Sequence, residues 1–223
     1  MILWARPSGQ IPPETMVDAI REEAFCVRRY RTDKKSKKGG KISMTKEEKV
    51  EEIRQRARKN FSLGYNCAEC VTEAVFSLVD TGLPVEVKKC ATGFGGGIGL
   101  FGDTCGALAG CVMAVSAVHG RTGLPEGEDP KDVAKKSKQQ LYGRPGAYRI
   151  FNQIPNRFKE KFNHTQCREL TGKWQSEWLC RDHALYCREV ITDAAGIAAD
   201  MILSDKEELA AKSFGSNVEN LKD

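Results

Sequence analysis

Seven glycines fall within the fourteen residues from Gly93 to Gly106, in the run GFGGGIGLFGDTCG, and the longest apolar stretch of the chain, GALAGCVMAVSAV, begins at the last of them. Glycine gives up more backbone freedom on folding than any other residue, so ordering so many together is costly. Some feature must need a backbone path that other residues cannot follow. Three candidates are a membrane segment, a phosphate cradle and the floor of a cysteine site.

The membrane reading fails on length. Gly106 to Val118 is a run of 13 residues with a serine in it, short of the roughly 18 that a span requires. It reads as a buried helix. The opening MILWARPSGQ is too briefly apolar for a secretory signal. With 223 residues, 29% charged and 40% hydrophobic, the chain reads as a globular protein with one good core, and a cytoplasmic location is expected.

The phosphate reading fails on context. Gly97-x-Gly99-x-x-Gly102 fits the dinucleotide pattern, but that fingerprint must leave a buried strand, and KKCAT precedes it here. A P-loop would need Lys-Ser/Thr after Gly102, where Asp103-Thr104 stands.

The flanking segments read as helices. Thr45 and Glu48 form a capping-box pattern ahead of Val50, Ile53, Ala57 and Phe61. Asn66 caps a second helix, expected to run until Gly82 and Pro84 end it. A third covers Cys105 to Val118. Asp129-Pro130 opens a fourth that runs through about Leu141. Gly143, Pro145 and Pro155 predict two or three short helical pieces up to Phe162, and a final helix is expected from about Arg181 to Leu203. No alternating strand and no internal repeat is found. The fold class is all-α: a compact multi-helix domain over 44–205, with a glycine-rich loop leading into a central buried helix, and a C-terminal tail over 206–223.

The N-terminal part differs in character. Residues 13–30 have helical apolar spacing, and the hydrophilic RTDKKSKKGGK follows. Gly39-Gly40 can be encoded by a GGAGG-type ribosome-binding site a few codons ahead of Met44, so residues 1–43 are expected as an N-terminal extension or as translated leader from a start codon placed too early. From Arg28 to Lys59 there are 14 Lys/Arg against 5 Asp/Glu. Without interleaved aromatics this charge argues against nucleic-acid binding and for a solvated face.

Nine cysteines in a reducing compartment point to metal or redox chemistry. Cys105 is expected in the first turn of a helix capped by Asp103 or Thr104, where backbone N–H groups and the helix dipole would lower its pKa. Gly95, Gly96, Gly97 and Gly99, just upstream, can turn their N–H groups toward the same spot as an anion-binding nest. Cys67 repeats the arrangement behind Asn66, with Cys70 three residues on. Cys180, His183 and Cys187 can share a helical face, either as metal ligands or as a surface histidine with two incidental cysteines. Cys111 reads as a small buried hydrophobe.

Four segments, GYNCAECV (64–71), ATGFGGGIGLFGDTCGALAG (91–110), FKEKFNHTQCRELTG (158–172) and CREVITDAAGIAADMI (187–202), resemble the C_GCAxxG_C_C family of redox-active proteins. That family is named for four cysteines and a Cys-Gly-Ala-x-x-Gly motif. The resemblance implies that Cys67, Cys105, Cys167 and Cys187 are the family cysteines and that Gly106, Ala107 and Gly110 complete the motif. The family resembles part of split-Soret cytochrome c, which implies an iron–sulfur centre, although haem-attachment sequences are absent. The chain departs from the pattern in its additional Cys70, Cys90, Cys111 and Cys180, in Pro155 and in the N-terminal extension.

The expected function is electron transfer through an iron–sulfur cluster on Cys67, Cys105, Cys167 and Cys187, with Gly106 and the upstream glycines lining the cofactor. One alternative is a metal-free dithiol in which Cys105 attacks and Cys67 resolves. Another is a structural zinc domain. A redox partner protein and a homodimer are the expected partners.

Overall fold

The computed structural model describes residues 44–218. The expectations for residues 1–43 lie outside the described residues, as does Cys26. Within them the protein is all-α, and strand pairing is confined to one isolated antiparallel bridge between Thr104 and Gln166.

Helix α1 (Lys46–Ser62) starts where the capping box predicts. Thr45 Oγ1 accepts the Glu48 N–H at 3.2 Å, and Glu48 Oε2 accepts the Thr45 N–H at 2.8 Å. Helix α2 (Cys67–Phe76) has the same device, with Asn66 accepting the N–H groups of Ala68 and Glu69. It stops at Phe76, short of the Gly82-Pro84 break. The chain then runs through a 3-10 segment, Val85–Phe94, that the spacing did not predict.

Helix α3 (Gly106–His119) follows the glycine loop, and α4 (Pro130–Tyr142) begins with proline at its first position behind Asp129. Helix α5 (Ala147–Phe162) corrects the expectation of short pieces, because it continues through Pro155. Pro155 removes one backbone donor, yet Ile150, Ile154 and Phe158 lie on one face at 0–1% exposure. Burial of that continuous stripe holds the helix together across the proline. Helix α6 (Arg181–Ile202) is the longest, and the segment after it, expected as a tail, forms α7 (Lys206–Ala211). Leu209 of α7 is 1% exposed, and the Ala210 carbonyl accepts the Gly146 N–H, so this segment belongs to the core.

The core gathers α1, α2, α3, α5 and α6, and small residues line its closest contacts. Ala194, Ala195, Ala198 and Ala199 of α6 and Ala107, Cys111 and Ala114 of α3 have no exposed surface, which lets the helices approach closely. Two acids of α6 clamp its neighbours. Asp193 takes Arg54 of α1 and Lys161 of α5, both at 2.7 Å, and Asp200 takes Lys46 of α1 at 2.6 Å and Arg157 of α5 at 2.7 Å. Among the described residues no helix is long and apolar enough to cross a membrane.

Candidate functional site

The glycine run does not form a helix of ordinary hand. Gly96, Gly97, Ile98, Gly99 and Leu100 have φ of 63°, 70°, 64°, 59° and 67°, five consecutive residues in the left-handed region. Ile98 and Leu100 carry side chains there at a cost of about 1–2 kcal/mol each. The reversed hand turns the Gly96 N–H toward the sulfur of Cys67, which accepts it. The turn is pinned at both ends. Gly102 and Asp103 donate back to the carbonyls of Gly96 and Gly97. On the other side, Asn66 Nδ2 donates to the Thr92 carbonyl at 3.0 Å, while Thr92 donates to Glu69 at 2.7 Å.

A second set of backbone bonds brings Cys105 and Cys167 together. Cys105 N donates to the Thr165 carbonyl at 2.8 Å, Cys167 N to the Asp103 carbonyl at 2.7 Å and Arg168 N to the Gly102 carbonyl at 2.9 Å. A Cβ on Gly97 would stand 2.7 Å from Cys167 Cβ, and one on Gly106 would stand 2.7 Å from the Phe94 carbonyl and 3.1 Å from Cys67 Cβ. These two glycines leave room for sulfur.

Four thiols from four separate segments thus lie near enough to act on one another. Cys67 is the first residue of α2, Cys105 immediately precedes α3, Cys167 opens a single helical turn (Cys167–Leu170), and Cys187 lies in α6. Cys105 and Cys167 are buried, each 6% exposed, whereas Cys67 and Cys187 are half-buried. All eight cysteines of the described residues are free thiols.

The four thiols differ in how readily they give up a proton. Cys187 donates its S–H to Cys67, and that bond, with the Gly96 N–H, holds the Cys67 thiol below its ordinary value despite burial. The same bond holds the proton on Cys187, whose pKa is raised further by burial and by the neighbouring sulfurs of Cys67, Cys105 and Cys167. Burial, followed by the charge on Cys67, pushes Cys105 up to about 12 against the N–H groups of Leu108 and Ala107. Burial also raises Cys167, which Thr171 partly offsets.

This corrects the expectation for Cys105. It occupies the cap position itself, neither Asp103 nor Thr104 caps α3, and burial raises its pKa where the helix end was expected to lower it. Helix-end electrostatics act over the first turn, but desolvation of a nearly enclosed sulfur outweighs them.

A model of the family described as "Putative redox-active protein (C_GCAxxG_C_C)" matches residues 65–201, more than half of the chain. The chain belongs to this family. No curated protein and no solved structure matches it. The C_GCAxxG_C_C motif has a packing logic here. Gly106 and Gly110 lie one turn apart on α3, and both face α2, where a Cβ on Gly110 would meet the Ala68 carbonyl at 2.6 Å.

The other cysteines of this C_GCAxxG_C_C protein lie apart from that chemistry. Cys70 is buried and donates to the Tyr65 carbonyl at 3.3 Å, Cys111 is fully buried in the core, and Cys90 is exposed. The Cys180–His183–Cys187 trio is neither a ligand set nor a surface accident. His183 is 6% exposed, its Nε2 lies 3.3 Å from Cys187 Sγ, and its backbone N–H points to Cys180 Sγ at 3.5 Å. The sequence spacing placed His183 and Cys187 on one helical face, and the buried contact between the two is what it did not reveal.

Among the described residues, no group of three or more His, Cys, Asp or Glu side chains is disposed to hold a metal ion. Four cysteines match an iron–sulfur cluster in kind. Cys67 and Cys187 are hydrogen-bonded to each other, with Cys105 and Cys167 near enough to act on them.

Proposed function

We propose that the protein is a thiol–disulfide redox protein whose reacting pair is Cys67 and Cys187. The supporting observation is that these two sulfurs are the half-buried ones of the four and are hydrogen-bonded to each other, which lowers the pKa of Cys67 and raises that of Cys187. The roles expected from sequence shift accordingly, with Cys67 attacking in place of Cys105.

The Cys67 thiolate attacks one sulfur of a partner disulfide. The partner S–S bond breaks, its second sulfur leaves with the electron pair as a thiolate, and a mixed disulfide forms on Cys67. Cys187 then attacks Cys67 Sγ, closing the Cys67–Cys187 disulfide and releasing the second partner thiol. Two electrons pass from the cysteine pair to the partner, and a partner dithiol reverses the sequence. Ile98, Leu100 and Phe101, exposed on the turn beside the pocket, favour a protein as the partner.

The competing assignment is the iron–sulfur cluster. One feature favours it: two thiols suffice for a disulfide, and four face this pocket. Anaerobic purification followed by a visible spectrum, assays of iron, zinc and acid-labile sulfide, and peptide mapping after oxidation separates the two. A colourless, metal-free protein that forms the Cys67–Cys187 disulfide supports the dithiol. A brown protein with iron and sulfide in comparable amounts assigns the pocket to the cluster and overturns it.

A further inference from the structure

A thiol must lose its proton before it can attack a sulfur, so Cys187 needs a base within reach if it is to close a disulfide with Cys67. Of the three histidines, His119 is buried with Nε2 3.0 Å from the Met201 carbonyl, and His164 is exposed beside Glu169. His183 alone faces a thiol.

The surroundings of His183 fix its ring. Nδ1 lies 2.5 Å from the Trp178 carbonyl, and a carbonyl oxygen can only accept, so Nδ1 carries the hydrogen. In the neutral ring Nε2 is then the bare acceptor, and it lies 3.3 Å from Cys187 Sγ, within reach of a thiol hydrogen. Trp178 meets the ring edge-on with centroids 4.3 Å apart, and Trp174 covers it at 5.4 Å. Trp174 in turn stacks on Tyr186 at 5.2 Å. The aromatic walls keep water from the nitrogen and hold it in place. A nucleophile, a base within hydrogen-bond reach and a third group orienting the base is the arrangement that activates a weak nucleophile.

We propose that His183, held as the Nδ1–H tautomer by the Trp178 carbonyl, takes the proton from Cys187 when the Cys67–Cys187 disulfide closes. The inference rests on the dithiol reading. Cys187 has one hydrogen and two acceptors, Cys67 Sγ and His183 Nε2. Once Cys67 is tied up as a mixed disulfide it no longer attracts the hydrogen, which turns to His183. Cys187 Sγ attacks Cys67 Sγ, the bond from Cys67 to the partner sulfur breaks, and the partner thiolate leaves with the electron pair. The proton passes from Cys187 to His183 Nε2 and on to the departing thiolate. The partner disulfide is the oxidant.

The test uses the reduced full-length chain and oxidised glutathione under single-turnover conditions. Release of the first glutathione reports attack by Cys67, and release of the second reports closure. General-base assistance contributes about 10²–10⁴-fold, so His183→Gln is expected to slow the second release by about 100-fold or more while leaving the first within about threefold. Added imidazole is expected to restore closure in His183→Ala. Second release at the wild-type rate in His183→Gln overturns the proposal. If the variants fail to fold, nitrogen NMR of the wild-type ring decides, since a resting His183 protonated at Nε2 in place of Nδ1 also overturns it. Wild-type protein that releases one glutathione and never the second overturns the dithiol reading instead, a result distinct from closure that ignores His183.

Discussion

Gly110 of α3 lies so close to Ala68 of α2 that a methyl group built on it would stand 2.6 Å from the Ala68 carbonyl oxygen and 3.0 Å from its Cα. The obstructing atoms are backbone and cannot swing aside. Gly110→Ala must push α3 off α2, and because Cys67 and Cys105 sit at the starts of these helices, the pocket widens with it. The expected loss is about 1–3 kcal/mol, the usual range for overpacking. In a domain of this size that lowers the melting temperature by about 2–12 °C. Calorimetry or circular dichroism checks it.

Two glycines of the left-handed turn separate conformational strain from steric conflict. Gly99 has φ 59°, and a Cβ added there would find no atom within 4 Å, so Gly99→Ala is expected to cost only the backbone penalty of about 1–2 kcal/mol. Gly97 has φ 70° and would also meet the Asp103 carbonyl and Cys167 Cβ at 2.7 Å. Gly97→Ala is expected to cost more in a denaturant titration and to make Cys167 reactive in the native protein. Equal losses for the two variants would contradict the tight contact.

Cys67 should alkylate with a pH profile of its own. The reactive species is the thiolate, and the pKa of Cys67 is lowered, first by the Cys187 S–H, from an ordinary value of 9.0. Its rate with iodoacetamide is expected to reach half-maximum below pH 9, while Cys105, pushed up to about 12, stays unlabelled. A hydrogen bond to a charged group is worth about 1.5–3 kcal/mol. Cys187→Ala should therefore raise the Cys67 midpoint by about 1–2 units, and Cys187→Ser, which keeps a donor, by less. Mass spectrometry of the labelled peptides reads both.

Stability is expected to fall in alkali. Cys105, Cys70 and Cys111 have folded pKa values raised above 9.0, chiefly by burial. Below pH 9 these thiols are protonated in both states and the stabilisation is complete. Above it the unfolded chain ionises first, so the stabilisation is lost progressively, for Cys105 up to about pH 12. The effect approaches about 1.4 kcal/mol per pH unit for each such thiol. Cys67 acts in the opposite sense, its contribution falling away as pH drops through its lowered value. A urea midpoint that moves down between pH 8 and pH 10 is the expected result, and a flat profile would contradict it.

Local signals located most of the helices. Thr45 with Glu48, Asn66 with Glu69, and Asp129 with Pro130 carry their caps in adjacent residues, so the starts of α1, α2 and α4 can be read from a few positions. Pro155 misled because its penalty is local, while the buried face of Ile150, Ile154 and Phe158 that outweighs it depends on α3 and α6. The left-handed turn was hidden for a related reason. Ile98 and Leu100 would not choose positive φ alone, and bonds from Gly102 and Asp103 back to Gly96 and Gly97 hold them there.

The chemistry divides along the same line. Glycine density, cysteine positions and helix caps are properties of neighbouring residues, and they sufficed to select the helical class and to mark which thiols begin helices. Which sulfur gives up its proton most readily depends on how completely each is desolvated and on who donates to it. Cys105 and Cys67 look alike in one dimension, yet burial keeps the proton on the first, while the second receives hydrogen bonds from Cys187, 120 positions away, and from Gly96. Those interactions exist only once α2, α6 and the reversed turn are packed together.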